Sequence, residues 1–370
     1  MDPRTVGVEE ELLLVDPETR RGSPHSQQVL KHWQEHHSDE DAEPLDHELF
    51  RHQIETRTPP LTDLAELHRA LVRSRQAVAE SAGAVGIAAM AAGTLPLPGP
   101  APQTTRDDRY LDMIDRYGEI ARPGGTCGMH VHVAIDSEEE GVEVIDDLAT
   151  WLPVVLAVSA NSPFFHGRDT SYASWRSQIW AQWPSAGPTE PFGSLEGYRT
   201  VSRRLIASGA ARDEGMLYFD ARLARDYPTV EVRISDVCTD PDDAVLIAAI
   251  VRGLVTRDRQ ACPPADRALW RTELVRAAQW RAARYGLGDR LLDPITAEVA
   301  PARAVLEHLV DTIREQLEAT GDLDLVEEGT RRVLAEGGSV RQRAAYERSG
   351  GSLSAVVDDL VRRTSHAHHG

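Results

Sequence analysis

The sequence predicts an α+β fold: a curved, largely antiparallel sheet with helices packed on its outer face and a helical final third. Three observations predict it. Four short runs alternate polar and apolar residues at the two-residue period of a strand. Those runs are not followed at regular intervals by helices, as a parallel barrel would require. From about Thr239 onward the apolar spacing turns almost wholly helical. We read residues 1–370 as a single domain, with a sheet-bearing core over 1–238 and a mainly helical part over 239–370 packed on it.

Residues 5–15 (TVGVEEELLLV) read as a strand stopped by Asp16-Pro17. Residues 25–47 are polar and carry five histidines, which predicts a solvated loop with a short helix. Residues 49–58 alternate as a strand and end at Pro59-Pro60. Leu64, Leu67, Leu71 and Val78 then fall at helical spacing up to Gly83. Val85–Thr94 is a small-residue run that predicts a buried strand, and Pro96–Pro102 a loop. MHVHVAI (129–135) alternates strictly, and Ser137 with Glu140 forms a capping box ahead of a helix through Leu152. Residues 161–198 are rich in aromatics, Ser, Arg and Pro with little periodicity, and an irregular stretch of that length is usually functional. TVEVRISDV (229–237) is the fourth alternating strand. Asp240 as N-cap and Pro241 at the first helical position open the next helix. Further helices are expected near 265–284, 296–319, 322–336, 339–348 and 352–363, before a frayed tail from His366 to Gly370.

Composition narrows the chemistry. Lys plus Arg number 40 and Asp plus Glu 59, a formal charge of −19. So acidic a chain is not built around nucleic acid or an anionic membrane. Lys31 is the only lysine and lies in a polar, His-rich stretch. There is no G-x-x-x-x-G-K-[ST] loop, so phosphate must be handled by arginine, backbone or metal. Cys127, Cys238 and Cys262 have the spacing of neither a disulfide framework nor a zinc motif. The first residues hold no signal-peptide core, and no apolar run reaches the roughly 20 residues of a membrane span. A cytoplasmic protein with reduced thiols is expected.

The four strands share a habit. Side chains two apart lie on one face of a strand, so Glu9 pairs with Glu11, Gln53 with Glu55, His130 with His132, and Glu231 with Arg233. Their reverse faces are largely apolar. A merely solvated face would show Thr, Lys and Ser, whereas these show Glu, His and Gln. Several carboxylates with imidazole form a ligand set for hard divalent ions such as Mg²⁺ or Mn²⁺. Without a cation, so many acids together are costly.

GVEEELLLV, HELFRHQIE, GTCGMHVHV, NSPFFHGRDTSYASWRSQ and FDAR…PTVEVR, in that order, resemble the carboxylate–amine ligases, or type 2 glutamate–cysteine ligases, over about residues 5–290. That family is related to glutamine synthetase, which shares the Glu-x-Glu, Gln-x-Glu, G-x-G-M-H-x-H and Glu-x-Arg strands. The resemblance implies a glutamine synthetase-like fold, ATP as co-substrate, Mg²⁺ or Mn²⁺, small carboxylate and amine substrates, and a homodimer. It implies that Glu11, Glu48 and Glu55 hold the metal that orients the acceptor, and that Glu9, His130 and Glu231 hold the metal on the ATP phosphates. The interval from Glu48 to Glu55 is one residue shorter than in glutamine synthetase. Arg233 would contact the transferring phosphoryl group, with His132 and Arg222 on the nucleotide side. Gln53, Asn161, Tyr172 and Arg176 would bind substrate, with Trp175 and Arg168 nearby.

Such a ligase turns a carboxylate into an acyl phosphate by positioning and charge neutralisation, without a protein nucleophile. Cys127, although close to His130, therefore needs no catalytic role. Three other readings compete. A metal-dependent amidohydrolase also uses His-x-His on a strand but wants further His ligands, a late Asp and often a modified lysine. A non-catalytic relative that only binds nucleotide, or one that phosphorylates a guanidino compound, would keep the same ATP site.

Overall fold

The computed structural model of the chain describes residues 3–36, 45–122, 125–257 and 270–365. In chain order the elements are β1 (Val6–Val15), α1 (Ser26–His36), β2 (Leu45–His47), β3 (Gln53–Arg57), α2 (Leu64–Ala84), β4 (Ala88–Met90) and α3 (Asp108–Tyr117). They continue as β5 (Gly128–Ala134), α4 (Glu138–Leu148), α5 (Leu152–Ser159), a small hairpin of β6 (Phe164–Phe165) and β7 (Arg168–Asp169), α6 (Arg176–Trp180) and α7 (Leu195–Ala207). β8 (Ala221–Leu223) and β9 (Thr229–Asp236) complete the main sheet. The remainder is α8 (Pro241–Thr256), α9 (Thr272–Tyr285), a hairpin of β10 (Arg290–Leu292) and β11 (Val299–Pro301), α10 (Ala302–Thr320), α11 (Leu323–Glu336), α12 (Gly338–Arg348) and α13 (Leu353–Ser365).

The main sheet runs β2-β3-β1-β5-β9-β8, with β4 also on β1, and every pairing in it is antiparallel. The predicted antiparallel α+β fold is what forms. Alternation decides its two faces. Val6, Val8, Leu12, Ile54, Met129, Val131, Val133, Val230 and Val232 are all buried. α8 lies against β1 and β5, and α5 against β9. α8 is buried along nearly its whole length, from Ala244 to Val255. Each fully buried aliphatic side chain contributes about 1.5–3 kcal/mol, so this interface holds the sheet in place.

Glu10 breaks the apolar reverse face of β1. It is fully buried, and Arg75 of α2 grips it with bonds of 2.6 and 2.9 Å. Arg75 also donates to the carbonyl oxygens of Cys238 and Thr239, which ties β1, α2 and the entry to α8 together.

Several boundaries differ from expectation, each for a local reason. The strand expected over 49–58 is confined to Gln53–Arg57, because Phe50 leaves the ladder to bridge Thr104. Of Val85–Thr94 only Ala88–Met90 pairs with β1. The helix expected through Leu152 ends at Leu148, and a new one starts at Leu152 with Pro153 in its first turn, where the missing N–H costs nothing. Ser137 caps α4 as predicted, accepting from the Glu140 amide at 3.1 Å. Asp240 stands at the N-cap of α8, but its carboxylate turns to Arg341 (3.2 Å) and Arg363 (3.6 Å). The helix expected from 296 starts at Ala302, because β10 and β11 pair around a turn in which Ala297 takes a positive φ of 56°. Cys262, the start of the helix expected from 265, and the His-rich tail lie outside the described residues. Among the described residues no helix is long and apolar enough to cross a membrane.

Candidate active site

The face of the sheet away from α8 floors a cavity of about 580 Å³. Register lays its polar residues out in cross-strand rows. In the first, His132 stands opposite Glu231, and Glu231 opposite Arg222. In the second, Arg57, Glu9 and His130 lie side by side across β3, β1 and β5. In the third, Asp46, Glu55 and Glu11 do the same across β2, β3 and β1. Arg233 joins from β9.

Three overlapping groups of ligand atoms result, each within 4.8 Å: Glu9, His132 and Glu231; Glu9, Glu55 and His130; Glu11, Glu48 and Glu55. The third is the acceptor-side set the resemblance implied. The expected ATP-side set is divided: His132, not His130, groups with Glu9 and Glu231, while His130 groups with Glu9 and Glu55 and has its Nδ1 3.6 Å from Glu231.

Hydrogen bonds fix these groups. Glu9 is 3.0 Å from His130 Nδ1, which calls for a proton on that nitrogen and leaves a lone pair on Nε2. His132 Nδ1 lies 3.0 Å from the Thr229 hydroxyl. The backbone N–H of Gly128 donates to Glu11 at 2.7 Å. Arg57 donates to Glu55 at 2.5 Å, Arg222 to Glu231 at 2.7 Å, and Arg233 also to Glu231.

Charge is unevenly matched. Burial and the neighbouring Glu11 push the Glu48 carboxyl up to about 8. Burial and Glu48 hold Glu55 well above the ordinary carboxylate range. For Glu231 burial acts upward, but Arg233 and Arg222 prevail and hold it below that range. Glu9 too is driven down against its burial, by the hydrogen bond from His130 and the neighbouring His132 imidazole. Burial and Arg233 lower His130. The Glu11–Glu48–Glu55 end thus carries acid without enough cation, the pattern that a bound cation relieves.

The ring nitrogens point the same way. Nε2 of His130 and of His132 are buried without a hydrogen-bond partner. The carboxylate oxygens of Glu11 and Glu9 are 3.9 and 3.6 Å away, too far to bond. Orphaned imidazole nitrogens beside pooled carboxylates fit a divalent-cation site.

Arg176 is not among the cavity-lining residues. It is buried, and its guanidinium donates to the carbonyl oxygens of Ile234 (3.3 Å) and Arg233 (3.4 Å). The register explains why. Met129 pairs with Ser235 but Val131 pairs with Val232, so Arg233 and Ile234 both face His130 in a bulge. Arg176 takes up the carbonyls that the bulge frees. A side chain at Gly128 would collide with that guanidinium, which explains the glycine.

Asn161 is likewise displaced from the expected substrate wall. It is buried and bonds to the carbonyl oxygens of Ala91 and Val237 and the Thr239 hydroxyl, while Gln342 donates to it. Tyr172 packs on Trp175, 5.1 Å between ring centres, and accepts from Trp280 at 3.2 Å. Arg168 is exposed on β7. None of Asn161, Arg168, Tyr172 and Arg176 lines the cavity, and Asn161, Tyr172 and Arg176 are engaged with other parts of the protein. Gln53 does reach the cavity, held by its bond to the Thr126 carbonyl at 2.8 Å. Cys127 is buried, and burial raises its thiol well above the ordinary range, so it is a packing residue.

Sequence reasoning missed Arg57, Asp46, Arg109, Tyr110, Trp180, Trp183, Tyr218 and Tyr227, all of which line the cavity. Arg57 was readable two residues after Glu55 on the same strand face. The aromatics come from α3, α6 and loops, where no period marks them.

The architecture is shared with two solved ligases. It superposes on a bifunctional glutathione synthetase from Pasteurella multocida with a TM-score of 0.69 at 16% identity, over 98% of this chain and 52% of that one, so it spans about half of that larger chain. It superposes on the glutamate–cysteine ligase of Francisella tularensis, solved in complex with AMP, with a TM-score of 0.65 at 14% identity, over 100% of this chain and 90% of that one. These likenesses establish the fold. Residues 5–359 match the family described as glutamate-cysteine ligase family 2, and the chain belongs to that family. It is 52% identical to a Nocardioides protein named "Putative glutamate–cysteine ligase 2-1", over 98% of this chain and 96% of that one. It is 45% identical to a Streptomyces coelicolor protein named "Putative glutamate–cysteine ligase 2", over 98% and 100%.

Proposed function

We propose that the protein is an ATP-dependent, Mg²⁺- or Mn²⁺-requiring carboxylate–amine ligase that joins a carboxylate, the γ-carboxyl of glutamate, to an amine. The observation that carries this reading is the pooling of Glu9, Glu11, Glu48, Glu55 and Glu231 with two orphaned imidazole nitrogens on one sheet face. Family membership and the ligase fold support it.

A substrate carboxylate oxygen attacks the γ-phosphorus of ATP, the bond to ADP breaks, and an acyl phosphate results. The amine nitrogen then attacks the acyl carbon, sheds a proton, and phosphate leaves. Bound divalent cations would neutralise phosphate charge and hold the reactants in line. Glu9, His130, His132 and Glu231 would hold the one on the ATP side; Glu11, Glu48 and Glu55 would hold the one on the acceptor side. Arg233 would meet the transferring phosphoryl group, and Arg222, bonded to Glu231, would hold that carboxylate in register for it. Gln53 would contact the acceptor. We assign the protein to solution in the cytoplasm, as a homodimer.

Incubation with ATP, Mg²⁺ and glutamate, with and without amines, tests this. ADP and an amide should appear only when both substrates are present. Tight ATP binding with no ADP release from any pair would instead make the protein a nucleotide-binding relative without ligase activity.

A further inference from the structure

The two ends of the cavity differ in kind. At the Glu9–His132–Glu231 end the rim is the tip of the β8–β9 hairpin, with Tyr227 edge-on to His132 at 6.1 Å. Beyond the Glu11–Glu48–Glu55 end the wall is aromatic and aliphatic, made by Trp180, Trp183, Tyr218, Ile179, Met113 and Ile120. Trp180 and Trp183 each pack on Tyr218, at 4.7 and 5.5 Å between ring centres. Arg233 lies over Tyr218 at 5.8 Å, so the wall starts one ring away from the reacting end of the floor. α3 ties the wall to the acids: Tyr110 feels the charge of Glu48 and Glu55, and Met113 follows one turn later on the same helix.

The geometry points to an acceptor amine whose side chain is aromatic or branched aliphatic, seated on the Trp180–Trp183–Tyr218 wall with its nitrogen toward Glu48 and Glu55. This rests on the ligase reading above. On that reading the phosphates and nucleotide sit at the Arg222–His132 end of the floor, so the body of the acceptor extends the other way. A polar or very small side chain would leave that wall facing water, whereas an apolar one removes it from water. A cavity with a charged floor and aromatic rings at its wall suits a polar amine head carried on an apolar body.

The test uses the full-length chain with ATP, Mg²⁺ and glutamate, and compares phenylalanine, leucine, cysteine, alanine and glycine as amines by ADP release and mass of the amide. Phenylalanine or leucine should exceed alanine and glycine in kcat/KM by at least about tenfold, the discrimination a hydrophobic pocket provides. They should also exceed cysteine. Equal or better use of cysteine, alanine or glycine overturns the proposal while leaving the ligase reading intact. No turnover with any amine overturns both. Trp180→Ala, on the half-buried member of the wall, should cut the phenylalanine-to-alanine ratio by about tenfold. A rise in KM for ATP in that variant, with the ratio unchanged, would show that the wall holds the nucleobase and would sink the proposal.

Discussion

Glu9, Glu10 and Glu11 are chemically identical and consecutive on β1, and the pleat sends them to opposite sides of the sheet. Glu10 goes to the helix-covered face, where Arg75 satisfies it and nothing else competes. Glu9 and Glu11 go to the cavity, where they join Glu48, Glu55 and Glu231. On the covered face one acid has one dedicated cation. On the cavity face the acids are shared, crowded and partly unmatched. Burial alone does not separate the two cases, since Glu55 and Glu231 are also buried. What separates them is whether each charge has its own partner. A charge with a dedicated partner stabilises structure, and a pool without enough cations is held for something that arrives.

The strongest way to break the comparison is at Glu10. Glu10→Ala or Arg75→Met leaves an uncompensated buried charge and should destabilise the fold by about 3–5 kcal/mol, read by urea denaturation. The molecules that remain folded should keep their ATP turnover. A loss below about 1 kcal/mol would mean that the buried pair is not the tie it looks like.

Glu55→Gln should do the reverse. It should cut kcat/KM for amide formation by about 10²–10³, in the range for loss of one group that stabilises transition-state charge. It should also raise the melting temperature of the metal-free protein, because it removes a carboxylate from a repelling cluster. Full activity would remove Glu55 from the proposed site, and a lower melting temperature would show that the pool is better matched than it looks.

His52 supplies a third case, a buried titratable group with neither a partner nor a pool. It stacks on Phe50 at 5.7 Å, and burial lowers it from 6.5 to about 4. Above pH 6.5 both folded and unfolded chains carry it neutral. As pH falls below 6.5 the unfolded chain takes up the proton first, so stability is lost down to about pH 4, by roughly 3 kcal/mol at 1.36 kcal/mol per unit. His52→Phe should flatten that part of the stability–pH curve; an unchanged slope would place the acid sensitivity elsewhere.

Much of this was legible in the sequence, and the reason is periodicity. The alternation in GVEEELLLV, GMHVHV and TVEVRI identifies which residues share a face, so Glu9, Glu11, His130, His132, Glu231 and Arg233 could be named before any fold was known. What a strand faces could not be read. Nothing local says that Glu10 meets Arg75, 65 residues away. Asn161 and Arg176 looked like substrate contacts because polar residues in an irregular stretch carry no sign of whether they face a cavity or tie a bulge together. The aromatic wall was hidden for the same reason: its members come from separate segments, and only the tertiary fold assembles them.

Lys31 now has a practical meaning. It stands on α1, its side chain 76% exposed, with only a long contact to Glu35 at 3.8 Å, and it does not line the cavity. Every cation at the cavity is an arginine, which amine-selective reagents ignore. Apart from the α-amino group, such reagents therefore have one target on this protein. A dye, a surface linkage or a cross-linker can be attached at a single known point without touching the chemistry on the sheet.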